Sequence, residues 1–532
     1  KQLHYYKGLR FHIMNYIFSS FIFSSWLINA DANLRAPRQL SFEKILKYTP
    51  NTQVTDHASI DLDQREIETL IAEGNYSAAQ NVYEQGAHSK SIAVLTLSTG
   101  LTKVIPEGTQ IEGRNVKSRA VSGKAYKDYR VGTKTIEVQY DTSDIQASYV
   151  GCQVGGSSEP VIDGCFNASG TININGQSYT YTYDPVTDNN NGRTIQGFSK
   201  DDSRHKLNGE GEYYKDFAAF VEYYGVTDYA DKWVTAALTG TDARFQRGNA
   251  DFSLYGDDGR IDAIKKGTAF LNIFMYVIRE LEDSLDDCNK GCDTDECNDD
   301  AVHALDEAVA FYSGSLLLTE DGDGLLSYSL AEKRCENFNT CEDGEAKVNA
   351  EIFVQFRKMQ SLLNKKECDA ARLNKERIVQ LMYVPMVQGT LRYAYKAGEE
   401  NDSTEKSEAE GAAFAAAVLP IVHACNENDA ATIYSNMRVG NGAPVDFSAV
   451  KRSFENNYGC MGITCSDVGG LYDGKDYFSK AEPCGTSNGV NVGAAVGISF
   501  AVVAALVIVG GLLLKRRGSQ VEFKSDSGVV NA

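Results

Sequence analysis

The stretch KKGTAFLNIFMYVIRELEDSLDDC, residues 265–288, decides the fold class. Its centre is apolar and carries no glycine, proline or β-strand alternation, so it reads as a helix. At about 100° per residue, Asn272, Tyr276, Arg279 and Asp283 fall in one narrow sector with Glu280 at its edge. Phe270, Leu271, Ile273, Phe274, Met275, Val277, Ile278 and Leu281 fill the rest. An amphipathic helix with a solvated polar stripe has this pattern, and Arg279 with Asp283 makes an ordinary i,i+4 pair. A polar stripe that carries tyrosine in place of lysine or glutamate also suits a site.

Outward from this helix the chain repeats itself. EKRCENFNTC (332–341) resembles KRSFENNYGC (451–460), and DEAVAFYSGSL (306–316) resembles AEGAAFAAAVL (409–419). MYVIRELEDSL (275–285) precedes the first pair as MVQGTLRYAYK (386–396) precedes the second. The order predicts two pseudo-repeated helical units, 211–345 and 346–475, built as bundles. In the second, Gln388, Arg392 and Tyr395 share a helical face.

Upstream, residues 41–85 read as helices (FEKILKY, then DLDQREIETLIAEGNYSAAQNVYEQG). From 91 to 200 the period becomes two: SIAVLTLST, KTIEVQY and GTININGQSYTYTY alternate as strands. Asn175-Gly176 marks a hairpin, since both turn positions need positive φ. Residues 31–210 therefore form N-terminal helices with a β-rich module, and the class is mainly α with a β-rich insertion (α+β).

Two apolar segments set the expected topology. MNYIFSSFIFSSWLINADA, from Met14, has the length and small-residue ending of a signal peptide, so residues 1–30 are set aside. VGAAVGISFAVVAALVIVGGLLL, 492–514, is uncharged, long enough to span a bilayer, and followed by Lys515, Arg516 and Arg517. The expectation is a single-pass type I protein at the plasma membrane: a large outer domain, a stalk at 476–491, one transmembrane helix, and a cytoplasmic tail at 515–532. All 12 cysteines lie between the two segments, which predicts disulfides. Cys152 with Cys165, Cys335 with Cys341 and Cys460 with Cys465 are plausible local pairs. A zinc finger is disfavoured because Cys288, Cys292 and Cys297 lack a second ligand pair. Sequons at Asn75, Asn167 and Asn401 fit a secreted glycoprotein.

The formal net charge of −20, from 72 acids against 52 bases, excludes a nucleic-acid binder and favours cations as partners. The chain holds 29 Tyr, and phenolate is a hard ligand once a metal displaces its proton. No HExxH, GxSxG, Walker or dinucleotide signature is present, and no base–nucleophile pair stands out, so an enzyme is not expected. The acidic run DSLDDCNKGCDTDECNDD (283–300) reads as a disulfide-tied loop or a weak cation trap. An EF-hand centred on Gly324 fails, because Leu330 stands where a bidentate Glu is required. His303 and His423 read as structural histidines.

YADKWVTAALTG, GNADF and GRIDAIKKGTAFLNIFMYVIRELEDSLDDC resemble the low-iron-inducible periplasmic protein (Fe-assimilation) family, whose algal members are phytotransferrins. The resemblance covers most of residues 40–475. It implies a cell-surface protein that binds ferric iron with carbonate and is internalised into vesicles, and it carries no ligand set. Fe(III) prefers carboxylate and phenolate oxygen, and carbonate suits a guanidinium fork. The expected metal ligands are therefore Tyr276, Glu280, Asp283 and Tyr395, with Arg279 and Arg392 for carbonate, if the two helical faces oppose each other. A single span forms no transport path, so iron must leave by endocytosis or pass to a surface reductase. The alternative function is an acidic adhesion or wall-associated protein without metal.

Overall fold

The computed structural model describes residues 45–485, apart from 53, 89–91, 141–151, 153–163, 186, 191–192, 201–210, 292–300 and 316–324. The expected signal peptide, transmembrane helix and tail lie outside these residues.

The β-rich module is a closed barrel. Strands β1 (Ile92–Leu97), β2 (Gln110–Arg114), β3 (Ala120–Ala125), β4 (Thr135–Tyr140), β5 (Ser169–Ile174) and β6 (Gln177–Thr182) pair antiparallel in the order β4-β3-β2-β5-β6-β1. β1 also pairs with β4, which closes the ring and leaves only the short β7 (Asn189–Asn190) added on β1. Closure removes the exposed strand edges that an open sheet of this size would present. Leu95, Leu97, Ile111, Val138, Ile172 and Tyr181 fill the interior. Asn175 and Gly176 turn β5 into β6 with φ of 50° and 77°, the conformation that dipeptide favours. The Cys152–Cys165 disulfide belongs to this module.

The rest is helical. Before the barrel come α1 (Thr55–Ala58), α2 (Ile60–Ala72) and α3 (Tyr76–Gln85). The segment expected to begin this helical run differs: Ile45 and Tyr48 bond each other's backbone across a tight turn. After the barrel follow α4 (Gly197–Lys200), α5 (Lys215–Tyr224), α6 (Tyr229–Thr239), α7 (Asp257–Gly267) and α8 (Phe274–Lys290). A π-helical turn, Thr268–Ile273, joins α7 to α8. Then come α9 (Ala301–Ser313), α10 (Ser327–Phe338), α11 (Lys347–Leu363), the long α12 (Cys368–Gly398) and α13 (Glu405–Ala416). Five shorter helices complete the chain to Val468.

All these helices bury their apolar faces in one core that runs from Ile45 to Ala481 and is separate from the barrel interior. α8 packs on α9, and α12 packs on both α11 and α13. Of the described cysteines, Cys335 bonds Cys341 as expected, but Cys460 does not bond Cys465. Cys460 reaches back to Cys425, and Cys465 reaches forward to Cys484. Spacing favoured the nearer partner, but Cys460 lies in the short helix Tyr458–Met461, which stops at Gly462, and Cys465 opens the next helix. Cys288–Cys368 ties the end of α8 to the start of α12. The stretch Glu405–Cys425 is long and apolar enough to cross a membrane, yet most of it is buried in this core.

Glycines set how closely α12 and α13 approach. A Cβ on Gly389 of α12 would stand 2.6 Å from the ring of Phe414 on α13. A Cβ on Gly411 of α13 would stand 2.9 Å from Cβ of Tyr393 on α12. Gly389→Ala should lower the melting temperature: overpacking costs about 1–3 kcal/mol and outweighs the gain of up to about 1 kcal/mol in helix propensity. Gly459→Ala, where an added Cβ meets nothing within 4 Å, is the control and should leave the melting temperature unchanged or raise it. A stable Gly389→Ala would mean the two helices can separate without loss.

Candidate metal centre

The strongest cluster of metal-ligating side chains is formed by three residues from two distant segments: His57 on α1, and His303 and Glu307 on α9. His303 and Glu307 are one helical turn apart, so they share a face. Their potential ligand atoms all lie within 4.8 Å of one another. Nε2 of His57 meets Oε1 of Glu307, and Nε2 of His303 lies 3.2 Å from the same oxygen. The imidazole rings stand edge to face, 5.7 Å apart. His57 is 1 % exposed.

A neighbouring carboxylate places His57. Asp306 is fully buried and accepts hydrogen bonds from the Tyr48 hydroxyl, from the Asn51 and Thr52 amides at 2.7 and 2.8 Å, and from Thr52 Oγ1 at 2.8 Å. This fastens the segment leading into α1 onto α9. Thr52 Oγ1 in turn lies 2.9 Å from Nδ1 of His303, leaving Nε2 for the centre. Burial pushes the Asp306 carboxyl up to about 6 despite these donors.

The sequence-predicted residues of α8 gather beside this triad. Tyr276 is 6 % exposed and sandwiched, with Phe198 stacked at 3.8 Å and the Arg279 guanidinium 5.5 Å from its ring centre. Phe311 touches both sides: its ring is 5.2 Å from Tyr276 and 5.7 Å from His57. Burial, with the charge of Glu280, holds the Tyr276 hydroxyl well above the ordinary phenol range, and Glu307 adds to this. Arg279 donates to Glu280 and lies 3.0 Å from Asp283. Asp283 also accepts from Tyr214 at 3.4 Å.

Glu280 is wholly buried, and its Oε2 has no hydrogen-bond partner. Burial pushes its carboxyl up to about 8; Arg279 opposes the shift and Glu307 adds to it. Glu307 behaves oppositely. Burial alone would raise it, but His57 and His303 hold it well below the usual carboxylate range. Two buried glutamates are thus shifted in opposite directions because one faces two imidazoles and the other shares one guanidinium with Asp283.

The expected partners on α12 sit elsewhere. Tyr395 packs against Phe447 and Phe478, with ring centres at 5.0 and 5.3 Å. Gln388 donates to the Val468 carbonyl at 2.8 Å. Arg392 lies close enough to Arg334 to disfavour its charge. Beside the Tyr276 face of α8 stands α9, which carries Glu307 and His303. A signal for this existed, since His303-x3-Glu307 is ligand spacing on a helix. His57 carried none, being 246 positions away in the chain and placed only by Asp306 and its partners.

No family model, no curated protein and no solved structure matches this chain.

In the metal-free protein, folded Glu280 keeps between pH 4.5 and about 8 a proton that the unfolded chain releases. Its stabilising effect is therefore full below pH 4.5 and is lost as pH rises through about 8. Thermal denaturation across this window should show a steeper loss of stability in the wild type than in Glu280→Gln, which cannot ionise. Equal slopes would mean that Arg279 keeps Glu280 ionised throughout.

Proposed function

We propose that this chain is a cell-surface receptor that captures ferric iron for uptake, with carbonate as co-ligand, and is internalised by endocytosis. The observation that carries the reading is the convergence of buried His57 and Glu307 with half-buried His303 beside Tyr276 and Glu280. Two imidazoles and a carboxylate suit first-row metals, and iron among them. The hard phenol and second carboxylate next to them favour the ferric state. The resemblance of most of residues 40–475 to the Fe-assimilation family points the same way, as does an acidic chain that concentrates cations at its surface.

The assignment of ligands differs from the one read off the helix face. His57, His303 and Glu307 take first place, Tyr276 and Glu280 stand as additional ligands, and Asp283 acts by holding Arg279. Arg279 contacts this group through Glu280, and its buried Nε, which has no hydrogen-bond partner among the described residues, is the donor carbonate would use. Membrane attachment rests on residues 492–514 and the basic flank that follows. The two helical units fit an internal duplication: all six matched segments are largely helical, and α8 packs on α9 as α12 packs on α13.

Ferric titration of the full chain, with and without bicarbonate, tests the reading through retained iron and visible absorption. Iron should be retained, with a tyrosinate charge-transfer band that needs bicarbonate. Glu307→Gln and His303→Ala should weaken retention by more than the roughly 10–100-fold typical of outer-shell partners. Tyr276→Phe should remove the band, and Tyr395→Phe should change neither signal. No retained iron would leave the triad as a buried ion pair and favour the acidic adhesion protein. Equal retention of zinc would make the site a general divalent centre.

Release should follow acidification. Imidazole binds metal only when neutral and its ordinary pKa is about 6.5, so at pH 5 protons compete for His57 and His303, and carbonate is lost as well. Dialysis of the loaded protein at pH 5 should strip the iron; full occupancy there would sink the endocytic release scheme.

A further inference from the structure

A second site stands apart from the metal centre and shares no residue with it. An open cleft of about 630 Å³ lies between α2, the α7–α8 junction and α10. Five cationic side chains line it: Arg65, Lys265, Lys266, Lys333 and Arg334. Among the described residues only two acids do, in a chain whose net charge is −20. One of these, Glu68, is already engaged by Gln64 at 2.9 Å and by Lys265 at 3.9 Å.

The two arginines are under-satisfied. Arg334 is 8 % exposed, and its buried Nε has no hydrogen-bond partner. Among the described residues, Arg334 donates from Nη1 to Asn337 at 2.8 Å, and its guanidinium otherwise faces the Phe414 ring at 5.4 Å. Arg65 likewise has a buried Nη2 without a partner. Among the described residues no carboxylate comes within 4.0 Å of either guanidinium. The acid whose charge acts on Arg334 is Glu410, whose oxygen lies 3.8 Å from Lys266. Burial, with the charge of Arg392, pushes Arg334 down to about 10. A buried guanidinium without a counter-charge is costly, and an anion seated beside it relieves that cost.

We propose that this cleft binds a small polyvalent oxyanion, a phosphate or a polycarboxylate, with Arg334 at its floor and Arg65 opposite. Guanidinium forks match the planar or tetrahedral oxygens of such groups, while Lys265, Lys266 and Lys333 supply charge at the rim. The cleft holds more than a single one-carbon anion would fill. The inference does not depend on whether the chain carries iron.

Calorimetric titration of the metal-free full chain with inorganic phosphate, and separately with citrate, tests it. At least one probe should bind saturably, with an affinity that falls as salt rises. Arg65→Gln should weaken that binding about tenfold, the effect of losing one charge-assisted hydrogen bond. Lys333→Gln should weaken it less. Arg334→Gln should abolish it; should that variant not fold, the half-buried Arg65 and the rim Lys333 carry the test. Saturation by phosphate alone or by citrate alone identifies which source the site uses. No saturable binding of either probe, or binding unchanged in Arg65→Gln, overturns the proposal.

Discussion

The structure around the candidate metal centre depends on one buried carboxylate. Asp306 gathers the hydroxyl of Tyr48, the amides of Asn51 and Thr52 and the hydroxyl of Thr52 onto a single side chain of α9. Leaving such a carboxylate without donors would cost several kcal/mol, so the segment before α1 is drawn onto α9. That placement brings His57 to Glu307 and orients His303 through Thr52. Without it, α9 would present a carboxylate and a histidine, and no third ligand would reach them.

The second feature is how charge is distributed inside an acidic protein. Glu280, Asp306 and Glu307 are buried within the α8–α9 region, each with a different counter-group: a shared guanidinium, a set of neutral donors, and two imidazoles. Their titration diverges accordingly. On the cleft beside α2 the imbalance has the opposite sign, since Arg65 and Arg334 keep nitrogen atoms without acceptors. A net charge of −20 describes neither place, because burial and local partners decide what each group can hold.

The barrel and the helical body illustrate two kinds of cohesion. The barrel closes on backbone pairing, with alternate side chains turned into its own small core. The helical body closes on side-chain packing and on glycines that allow α12 and α13 to touch. Disulfides Cys288–Cys368, Cys425–Cys460 and Cys465–Cys484 then tie segments that packing brings together.

Local chemistry was legible in the sequence. The period-two alternation marked β1, β4, β5 and β6, and Asn175-Gly176 marked their hairpin, because strand period and turn conformation are properties of neighbouring residues. The helical face of Tyr276, Arg279, Glu280 and Asp283 was legible for the same reason, as were the Cys152–Cys165 and Cys335–Cys341 bonds, whose partners stand close in the chain. Barrel closure through β1 and β4, the long-range disulfides, and the arrival of His57 at Glu307 were decided by the tertiary structure alone. Each depends on which distant surfaces bury together, and no periodicity or spacing along the chain encodes that.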